Sequence, residues 1–312
     1  MLFNGLYVLW DEPLIVSCFG ASDRTRFLNL RHQGTVLCFP AWFQDYSSLP
    51  SMIRDLLKAR YRGKSLHFIC NSFEEDRLRR RFGLPGALIS QNAYISERVF
   101  HPMSVAKEFD AVYTAQMESF KRLNLAASVD SLFVVTYGET KTPDGEYDLH
   151  RFEPSLINAQ FNQRWIGRDQ INEIYNRSRV GLALSAVEGA MLAAVEYLLA
   201  GLPMVSTKCR GGRELFFDER FVTVVEPTPG AVATGVTELI RREIDPALVR
   251  EATMTRVMQH RQKLCEYVRD IIIRTGTANV PSETTLYERV FGGPDGTRSC
   301  YVPSRDFAAR GW

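Results

Sequence analysis

Two acidic residues, Glu188 and Glu196, stand in the otherwise almost wholly apolar stretch SAVEGAMLAAVEYLLAGLPMVST at residues 185–207. A carboxylate among apolar side chains needs hydrogen-bond donors, because a charge buried without partners is costly. A ligand rich in hydroxyl groups would supply such donors to Glu196. The pattern leaves a plainer alternative open, in which Glu188 only favours the helix dipole. In that alternative Glu196 faces solvent or pairs with an arginine such as Arg210 or Arg213.

Glu188 follows a predicted strand at residues 179–186, and the next helix is predicted to begin near Gly189 or Ala190. The start of a helix presents free backbone N–H groups and the positive end of the helix dipole. The amides of Gly189, Ala190 and Met191 are therefore predicted to bind phosphate or another anion. Small residues at this point let a ligand approach the backbone closely.

The fold class follows from apolar runs that alternate with segments of helical spacing. Most of these runs are continuously apolar, which is typical of parallel strands covered by helices on both faces. The predicted strands are residues 14–20, 35–41, 65–71, 87–93, 109–116, 131–137, 179–186, 202–208 and 221–227. The predicted helices are residues 46–62, 73–82, 118–128, 168–178, 189–200, 229–243 and 246–275. The alternation predicts an α/β protein with doubly wound sheets.

Breaks in this alternation divide the chain into domains. Residues 94–108 form a polar connector that predicts a domain linker, and residues 138–160 have the composition of a long loop. We therefore expect a first domain at residues 1–100, a second at 101–290 and a tail at 291–312. Two doubly wound domains create a cleft, and such sheets bind ligands at the carboxyl ends of their strands. The functional site is expected in that cleft.

Composition and charge exclude several classes of protein. Of the 312 residues, 45% are hydrophobic and 24% are charged, and the formal net charge of +2 is too small to indicate a nucleic-acid partner. The six cysteines show neither a disulfide framework nor metal-ligand spacing. The sequence shows no secretory signal and no membrane span, so a cytoplasmic location is expected.

Basic residues are frequent in the first predicted domain. Such runs are usually solvated helix faces, but they would also suit contact with the inner face of a membrane or an anionic, lipid-linked acceptor. The residues concerned are Arg54, Lys58, Arg60, Arg62, Lys64, Arg77, Arg79, Arg80 and Arg81. The sequence leaves both interpretations open.

The run SAVEGAMLAAVEYLLAGLPMVSTKCRGGRE, which starts at residue 185, resembles the donor-binding motif of retaining glycosyltransferases of the GT-B fold, especially family four. In that family a serine ends a strand, and a second glutamate follows the first after eight positions. The resemblance implies that Glu188 accepts hydrogen bonds from the donor sugar and that Glu196 holds the ribose hydroxyls. It also implies that backbone amides from Ala190 to Leu192 meet the sugar or the diphosphate. The sequence departs from the family at Met191, where a second glycine is usual.

A second part of the resemblance follows the predicted strand at residues 109–116. Tyr113 to Gln116, followed by Lys121, resembles the family's Y-x-G-R followed five residues later by Lys. This implies that Lys121 meets the diphosphate leaving group, on which charge grows as the glycosidic bond breaks. Gln116 stands where Arg is usual, and Arg122 is a candidate to replace the missing charge. The alternative is an exposed Lys-Arg pair at the start of a helix.

The resemblance extends from about residue 65 to residue 243. It implies two Rossmann-like domains that face each other across a cleft. The first domain is expected to be reduced, because only about 95 residues precede the linker. The identity of the acceptor cannot be carried over from the family for that reason.

Together these observations predict a glycosyltransferase that moves a sugar from a nucleotide-sugar donor to an unidentified acceptor. Retention of configuration and a role in bacterial surface polysaccharide or glycoconjugate synthesis are expected, with a saccharide or lipid-linked acceptor and with no metal and no cofactor. Glu188 and Lys121 are the expected catalytic residues. A nucleotide-sugar epimerase on the same scaffold and a non-catalytic protein that binds a nucleotide or a partner are the alternatives.

Other titratable residues give weaker signals. His32, His67 and His101 lie in or near the first predicted domain and are candidates to approach the reacting sugar. Structural or surface roles are the more ordinary interpretation of each. Asp11 and Glu12 are consistent either with a base that activates the acceptor or with a turn.

Overall fold

The computed structural model describes residues 5–293 and 299–310. The chain forms two compact units. The first comprises the chain up to Ser96 together with the segment from Val257 onward, and the second is Glu97–Arg256. The first boundary falls within the predicted linker. The division differs from the expected domain limits at the other end, because the C-terminal segment packs with the first unit.

Strands and helices alternate along most of the described residues. The strands are β1 (Gly5–Trp10), β2 (Ile15–Phe19), β3 (Thr35–Phe39), β4 (Ser65–Cys70), β5 (Gly86–Leu88), β6 (Phe109–Gln116), β7 (Leu132–Tyr137), β8 (Gln160–Phe161), β9 (Ser178–Ala183), β10 (Met204–Thr207), β11 (Val222–Val225) and β12 (Tyr301–Pro303). The helices are α1 (Ala21–Asn29), α2 (Leu49–Tyr61), α3 (Phe73–Arg81), α4 (Leu149–Phe152), α5 (Arg168–Arg177), α6 (Leu192–Leu199), α7 (Pro229–Arg241), α8 (Pro246–Arg274) and α9 (Glu283–Tyr287).

The sheet of the first unit has the strand order β12-β1-β2-β3-β4-β5. Strands β2 to β5 are parallel, and β1 runs antiparallel to both β2 and β12. Successive side chains of a strand point to opposite faces. Val36 and Cys38 of β3 accordingly pack with residues of α1, α2 and α3, whereas Leu37 and Phe39 pack with residues of α8 and α9. Helices cover both faces, which explains the continuously apolar strands.

The sheet of the second unit is parallel throughout, with the order β11-β10-β9-β6-β7-β8. Because β6 is the first strand of this unit, the chain builds outward through β7 and β8 on one side and through β9, β10 and β11 on the other. The direction of winding reverses between β6 and β9. Open sheets of this topology bind ligands at the carboxyl ends of the strands beside that reversal. The expected α/β architecture with two open sheets is confirmed.

The segment after β6 differs from its predicted structure. Residues 118–128 were expected to form a helix, but they form two 3₁₀ turns, Ser119–Lys121 and Leu123–Ala126. Arg122 lies between the turns with φ 51°, in the left-handed region. A left-handed residue interrupts a right-handed helix, so the helical spacing of this segment does not produce a helix.

The C-terminal residues, which were expected to form a tail, contribute to the first unit. Strand β12 pairs with β1, so that Gly5 lies opposite Pro303. Val302 and Phe307 are buried in the core shared with α1, α2 and α3. Residues 294–298 and 311–312 of the predicted tail lie outside the described residues. Neither β1, between β12 and β2, nor the three-residue edge strand β12 was predicted.

The longest helix of the described part, α8, agrees with its prediction at residues 246–275. It has 29 residues, and Gly276, with φ 74°, follows its end in the left-handed region that glycine tolerates. None of the helices in residues 5–293 and 299–310 combines the length and the apolar character needed to cross a membrane.

Candidate functional site

Lys121 and Glu188 come together at the carboxyl ends of β6 and β9. Lys121 ends the turn that follows β6, and Glu188 lies in the segment that follows β9, 67 residues further along the chain. Lys121 Nζ and Glu188 Oε1 form an ion pair in which the two side chains are only 10% and 9% exposed. The pair therefore occupies the position where sheets of this topology bind ligands.

Ser185 and Arg213 extend the ion pair into a buried network. Ser185 Oγ donates to Glu188 Oε1 at 2.6 Å, and Arg213 Nη1 donates to Ser185 Oγ at 3.0 Å. Arg213 is fully buried, and its Nη2 donates to the carbonyl oxygens of Ser185 and Thr207 at 3.0 and 2.7 Å. Hydrogen bonds with a charged partner are stronger than neutral ones. The network thus fixes the orientation of the Glu188 carboxylate.

Arg122 joins the ends of β9 and β10. Its Nε donates to the carbonyl oxygen of Leu184 at 2.7 Å, and its Nη2 donates to Thr207 Oγ1 at 2.7 Å. The left-handed backbone at Arg122 directs the side chain into these contacts. Burial lowers the pKa of the guanidinium. Arg122 therefore braces two strand ends in addition to contributing charge.

Cationic side chains are concentrated at these strand ends. Lys121, Arg122 and Arg213 supply three cationic groups close to the Glu188 carboxylate. In the described residues, no cluster of three or more His, Cys, Asp and Glu side chains could hold a metal ion. Fixed side-chain cations of this kind attract an anionic ligand such as a diphosphate.

Gly211 lets a second loop approach the turn that carries Glu188. Gly211 has φ 155°, and a Cβ atom at this position would lie 2.6 Å from the carbonyl oxygen of Glu188. The neighbouring Gly212 N–H donates to the carbonyl oxygen of Gly189 at 2.8 Å. Only glycine avoids the clash and accepts this backbone conformation. Backbone contacts thus hold the Glu188 turn in place.

Helix α6 begins at Leu192, later than the predicted start near Gly189 or Ala190. Met191 is its N-cap residue and has φ 48°, in the left-handed region. A left-handed residue cannot belong to a right-handed helix, so the helix begins only after Met191. Gly189, Ala190 and Met191 are buried. The predicted start is therefore wrong, and the N–H groups of the first helical turn begin at Leu192.

Met191 occupies a backbone conformation that favours glycine. Its side chain is buried, and its Sδ accepts a hydrogen bond from Arg213 Nη1 at 3.2 Å. The departure from the glycine of the family motif thus falls where the backbone is left-handed. The buried Met191 side chain packs in the fold despite this backbone conformation.

Glu196 is partly buried on α6 and contacts Tyr175 of α5. Tyr175 Oη donates to Glu196 Oε2 at 3.1 Å and lies 2.9 Å from Thr114 Oγ1. Burial raises the pKa of Glu196, because the Tyr175 hydrogen bond does not compensate for the lost solvation. Arg213, one of the partners considered from the sequence, donates to Ser185 instead.

Gln116 and Tyr137 stand side by side at the ends of β6 and β7, paired in parallel register. Tyr137 is 45% exposed. Burial, followed by the charges of Glu188 and Glu196, raises the pKa of Tyr137, so the ring lies within electrostatic reach of both carboxylates. Sequence reasoning missed Tyr137. The available signal was an aromatic residue between an apolar strand and Gly138.

Three of the other titratable candidates, His67, Asp11 and His101, have hydrogen-bond partners within their own unit. His67 Nδ1 lies 2.6 Å from Tyr267 Oη, and burial lowers the pKa of His67 to about 4. Asp11 Oδ2 accepts a hydrogen bond from Arg289 Nη2 at 2.6 Å. In the second unit, His101 Nδ1 lies 3.1 Å from the carbonyl oxygen of the following residue.

A cavity of about 270 Å³ lies in the first unit beside α3. Both charged and aromatic side chains line it, and none of the residues predicted for the site is among them. The lining residues are Gln44, Asp45, Tyr46, Glu74, Arg77, Leu78 and Arg81.

The fold belongs to the GT-B class, as its similarity to solved structures shows. Anabaena HepE in complex with UDP has a TM-score of 0.59 at 12% identity, over 76% of this chain and 72% of HepE. Sucrose-phosphate synthase from Thermosynechococcus elongatus has a TM-score of 0.55 at 14% identity, over 77% of this chain and 69% of the synthase. A mutant of S. aureus TarM in complex with fondaparinux, alpha-GlcNAc-glycerol and UDP has a TM-score of 0.56 at 12% identity, over 88% of this chain and 54% of TarM. The chain spans about half the length of TarM.

Residues 117–242 match the family model described as Glycosyl transferases group 1. No curated protein matches the sequence. The matched segment contains Lys121, Glu188 and Glu196, whereas Gln116 immediately precedes it. The similarity to this family therefore covers the site at the ends of β6 and β9.

Proposed function

We propose that this chain transfers a sugar from a nucleotide-sugar donor to a hydroxyl group of an acceptor, and that the donor is a uridine diphosphate sugar. The observation that carries the proposal is the buried Lys121–Glu188 pair at the reversal point of the second sheet. The match of residues 117–242 to Glycosyl transferases group 1 supports the reaction class. The UDP complexes of HepE and TarM support the choice of uridine.

In this proposal Glu188 and Lys121 bind different parts of the donor. The Glu188 carboxylate accepts hydrogen bonds from hydroxyls of the donor sugar, and the Lys121 ammonium donates to the diphosphate. Negative charge grows on the phosphate oxygens as the bond from the anomeric carbon to the diphosphate breaks. A cation that is already held in position stabilises this charge without reorganisation.

Retention of configuration is the proposed stereochemical outcome. The acceptor hydroxyl attacks the anomeric carbon from the face that the diphosphate leaves, and its proton passes to the departing phosphate oxygen. This route needs no nucleophilic side chain. The resemblance of the residue 185 motif to retaining enzymes supports it.

The nucleoside is proposed to lie along Glu196 and Tyr137. Ribose hydroxyls would donate to Glu196, whose raised pKa is consistent with a carboxylate that has too few donors in the chain itself. The exposed ring of Tyr137 offers a face on which a base can stack. Gln116 beside it and the amides at Leu192 are the remaining proposed donor contacts.

The proposed acceptor is a saccharide, either free or linked to a lipid, in the synthesis of a bacterial surface polysaccharide or glycoconjugate. The carbohydrate ligands of the TarM complex support a saccharide acceptor. The location of the reaction would then be the cytoplasm or the inner face of the membrane.

Isothermal titration calorimetry and product analysis test the proposal. UDP should bind more tightly than GDP, ADP and CDP, and UDP-glucose or UDP-N-acetylglucosamine should give a glycosylated product whose anomeric configuration is read by NMR. Glu188→Gln should lower the transfer rate by about 100-fold or more, as expected for loss of one preorganised electrostatic contact. Glu226→Gln replaces an exposed glutamate of the same unit and serves as the matched control. Equal rates in the two variants would contradict the assignment of the site.

The same assays separate the alternatives. An epimerase would convert the donor sugar to its epimer without any acceptor. A non-catalytic protein would bind UDP but release no product. The neutral Gln116 in place of arginine and Met191 in place of the second glycine are the observations that keep the non-catalytic alternative open.

A further inference from the structure

Helix α2 of the first unit exposes a row of large apolar side chains. Ile53, Leu57 and Tyr61 follow one another at intervals of four residues and are 41%, 59% and 92% exposed. Residues four apart lie on the same face of a helix. The opposite face is the one that packs on the core, through Leu49, Met52 and Ala59. The exposed row of Ile53, Leu57 and Tyr61 is therefore separate from the apolar face through which α2 packs on the core.

Cationic side chains flank this row on both sides. At 100° per residue, Arg60 lies about 60° to one side of Leu57, and Arg54 lies about 60° to the other side, with Lys58 beyond it. The Arg54 side chain is 75% exposed, and its Nε lies 3.6 Å from Asp55 Oδ1. The acidic residue of α2, Asp55, is buried, and its Oδ2 lies 2.8 Å from Arg24 Nη2. The outer face of α2 thus combines apolar side chains with cations and carries no exposed carboxylate of its own.

Other basic residues in this part of the chain are engaged in the fold. Lys64 is buried, contacts the carbonyl oxygen of His32, and lies over the ring of Phe27 at 4.7 Å. Arg62 Nη1 donates to the carbonyl oxygen of Leu28 at 3.0 Å. Arg77, Arg80 and Arg81 of α3 are exposed as well, and Arg80 Nε lies 2.7 Å from Asp76 Oδ2. The outer face of α2 is the part of this basic surface that also carries the apolar row.

We propose that α2 docks this chain on the surface of an anionic lipid bilayer. Ile53, Leu57 and Tyr61 enter the boundary between headgroups and acyl chains, and Arg54, Lys58 and Arg60 contact the lipid phosphates. Interfacial helices bind through a buried apolar face together with attraction of Lys and Arg to anionic lipids. This inference does not depend on the proposed transfer reaction.

Charge favours a bilayer over a second copy of the chain as the occupant. Two copies joined through this row would bring Arg54, Lys58 and Arg60 of each close to the same cations of the other, and like charges oppose association. A stable dimer also buries roughly 800 Å² on each partner, far more than three side chains in one row provide. A bilayer with anionic headgroups supplies opposite charge and accepts a narrow apolar row.

Vesicle flotation tests the proposal with the full chain. The wild type should float with vesicles that contain about one-third phosphatidylglycerol, should not float with phosphatidylcholine alone, and should be released by high salt. Leu57→Ser/Tyr61→Ser should lower the partition coefficient about tenfold or more, through loss of buried apolar area. Arg54→Gln/Lys58→Gln should lower it about fivefold for each cation removed.

The matched control is Ile157→Ser, which removes an apolar side chain that is 64% exposed in the second unit. This variant should bind vesicles as the wild type does. All four changed positions on α2 lie on its outer face, so unfolding midpoints should stay near that of the wild type and establish that the variants are folded.

Three results would overturn the proposal. One is failure of the folded wild type to bind anionic vesicles, which would leave an acidic protein as the better occupant. Another is equal binding by the wild type and the Leu57→Ser/Tyr61→Ser variant. The third is a dimer in light scattering that this variant dissociates, which would assign the row to a second copy.

Discussion

The effect of Glu188→Gln on the free energy of unfolding tests whether the Lys121–Glu188 pair is shielded from water, as the low exposure of its side chains indicates. The two side chains are 10% and 9% exposed, so the variant leaves the Lys121 ammonium in a buried place without its counter-charge. Removing one partner of a buried ion pair costs about 3–5 kcal/mol. The amide oxygen of Gln can still accept the hydrogen bond from Ser185 Oγ, so we expect the lower end, a loss of about 3 kcal/mol in the free energy of unfolding.

A double-mutant cycle isolates the pair from other effects. Lys121→Met leaves the carboxylate uncompensated and should cost a similar amount. The double variant Lys121→Met/Glu188→Gln removes both charges and should lose much less than the two single variants together, with a coupling energy of at least about 2 kcal/mol. Urea unfolding followed by circular dichroism measures each free energy from the transition midpoint at constant m-value.

An exposed pair in the same unit provides the control cycle. Arg164 Nη2 lies 3.0 Å from Glu146 Oε1, and these side chains are 75% and 30% exposed. Solvent screens such a pair, so its coupling energy should stay below about 1 kcal/mol. Equal coupling energies in the two cycles would refute the claim that burial strengthens the Lys121–Glu188 interaction. A folded Lys121→Met/Glu188→Gln variant that transfers sugar at the wild-type rate would refute the proposed chemistry.

Three further predictions concern a residue with a left-handed backbone, the partly buried carboxylate of Glu196 and a buried histidine. Met191→Gly should be about 1 kcal/mol more stable than Met191→Ala in urea unfolding. Both variants lose the methionine side chain, but only alanine keeps a Cβ atom that strains the left-handed backbone. Equal stability of the two variants would show that the backbone is unstrained. Glu196→Gln should weaken UDP binding by about 1–3 kcal/mol in calorimetry. Glu196→Gln should also stabilise the chain at pH 7 but not at pH 4. The pKa of Glu196 is raised in the folded chain, so ionisation of Glu196 costs stability once the pH exceeds the unfolded pKa of about 4, and Gln avoids this cost. A Glu196→Gln variant that is less stable than the wild type at pH 7 would contradict this. Burial lowers the pKa of His260 to about 4, and its Nδ1 accepts from the Ser90 N–H at 3.3 Å. The titration of His260 should therefore remove about 3 kcal/mol of stability as the pH falls from about 6.5 to about 4. His260→Gln, which does not titrate, should make that part of the pH profile shallower in thermal unfolding, whereas the contribution of His67, whose pKa is also lowered to about 4, should remain.

Local patterns predicted the central elements of the fold well. The expected strand at residues 109–116 is β6 without change, and the expected helix at 246–275 differs from α8 by one residue at its end. Both segments are long, and their apolar patterns are unambiguous. The strand is continuously apolar because helices cover both faces of its sheet. The sequence failed where tertiary contacts override local preference. Arg122, for example, takes a left-handed backbone that lets its side chain brace Leu184 and Thr207, so no helix forms at residues 118–128.

The candidate site divides in a similar way. The spacing of Glu188 and Glu196 and the position of Lys121 were visible in the sequence. The participation of Tyr175 was not, because this residue belongs to α5 and reaches Glu196 only through the packing of that helix against α6. Tyr137 was also missed, since its place beside Gln116 depends on the register between β6 and β7.

The sequence by itself determined the alternation of strands and helices, the parallel character of the central strands and the residue types available for chemistry, because these depend on periodicity over a few residues. Only the tertiary structure decided that Lys121 and Glu188 form one buried pair, that Arg213 supports it through Ser185, and that the segment after Val257 completes the first unit. These contacts join residues far apart in the chain. Strand order and helix packing bring them together, and neither leaves a local signal in the amino-acid pattern.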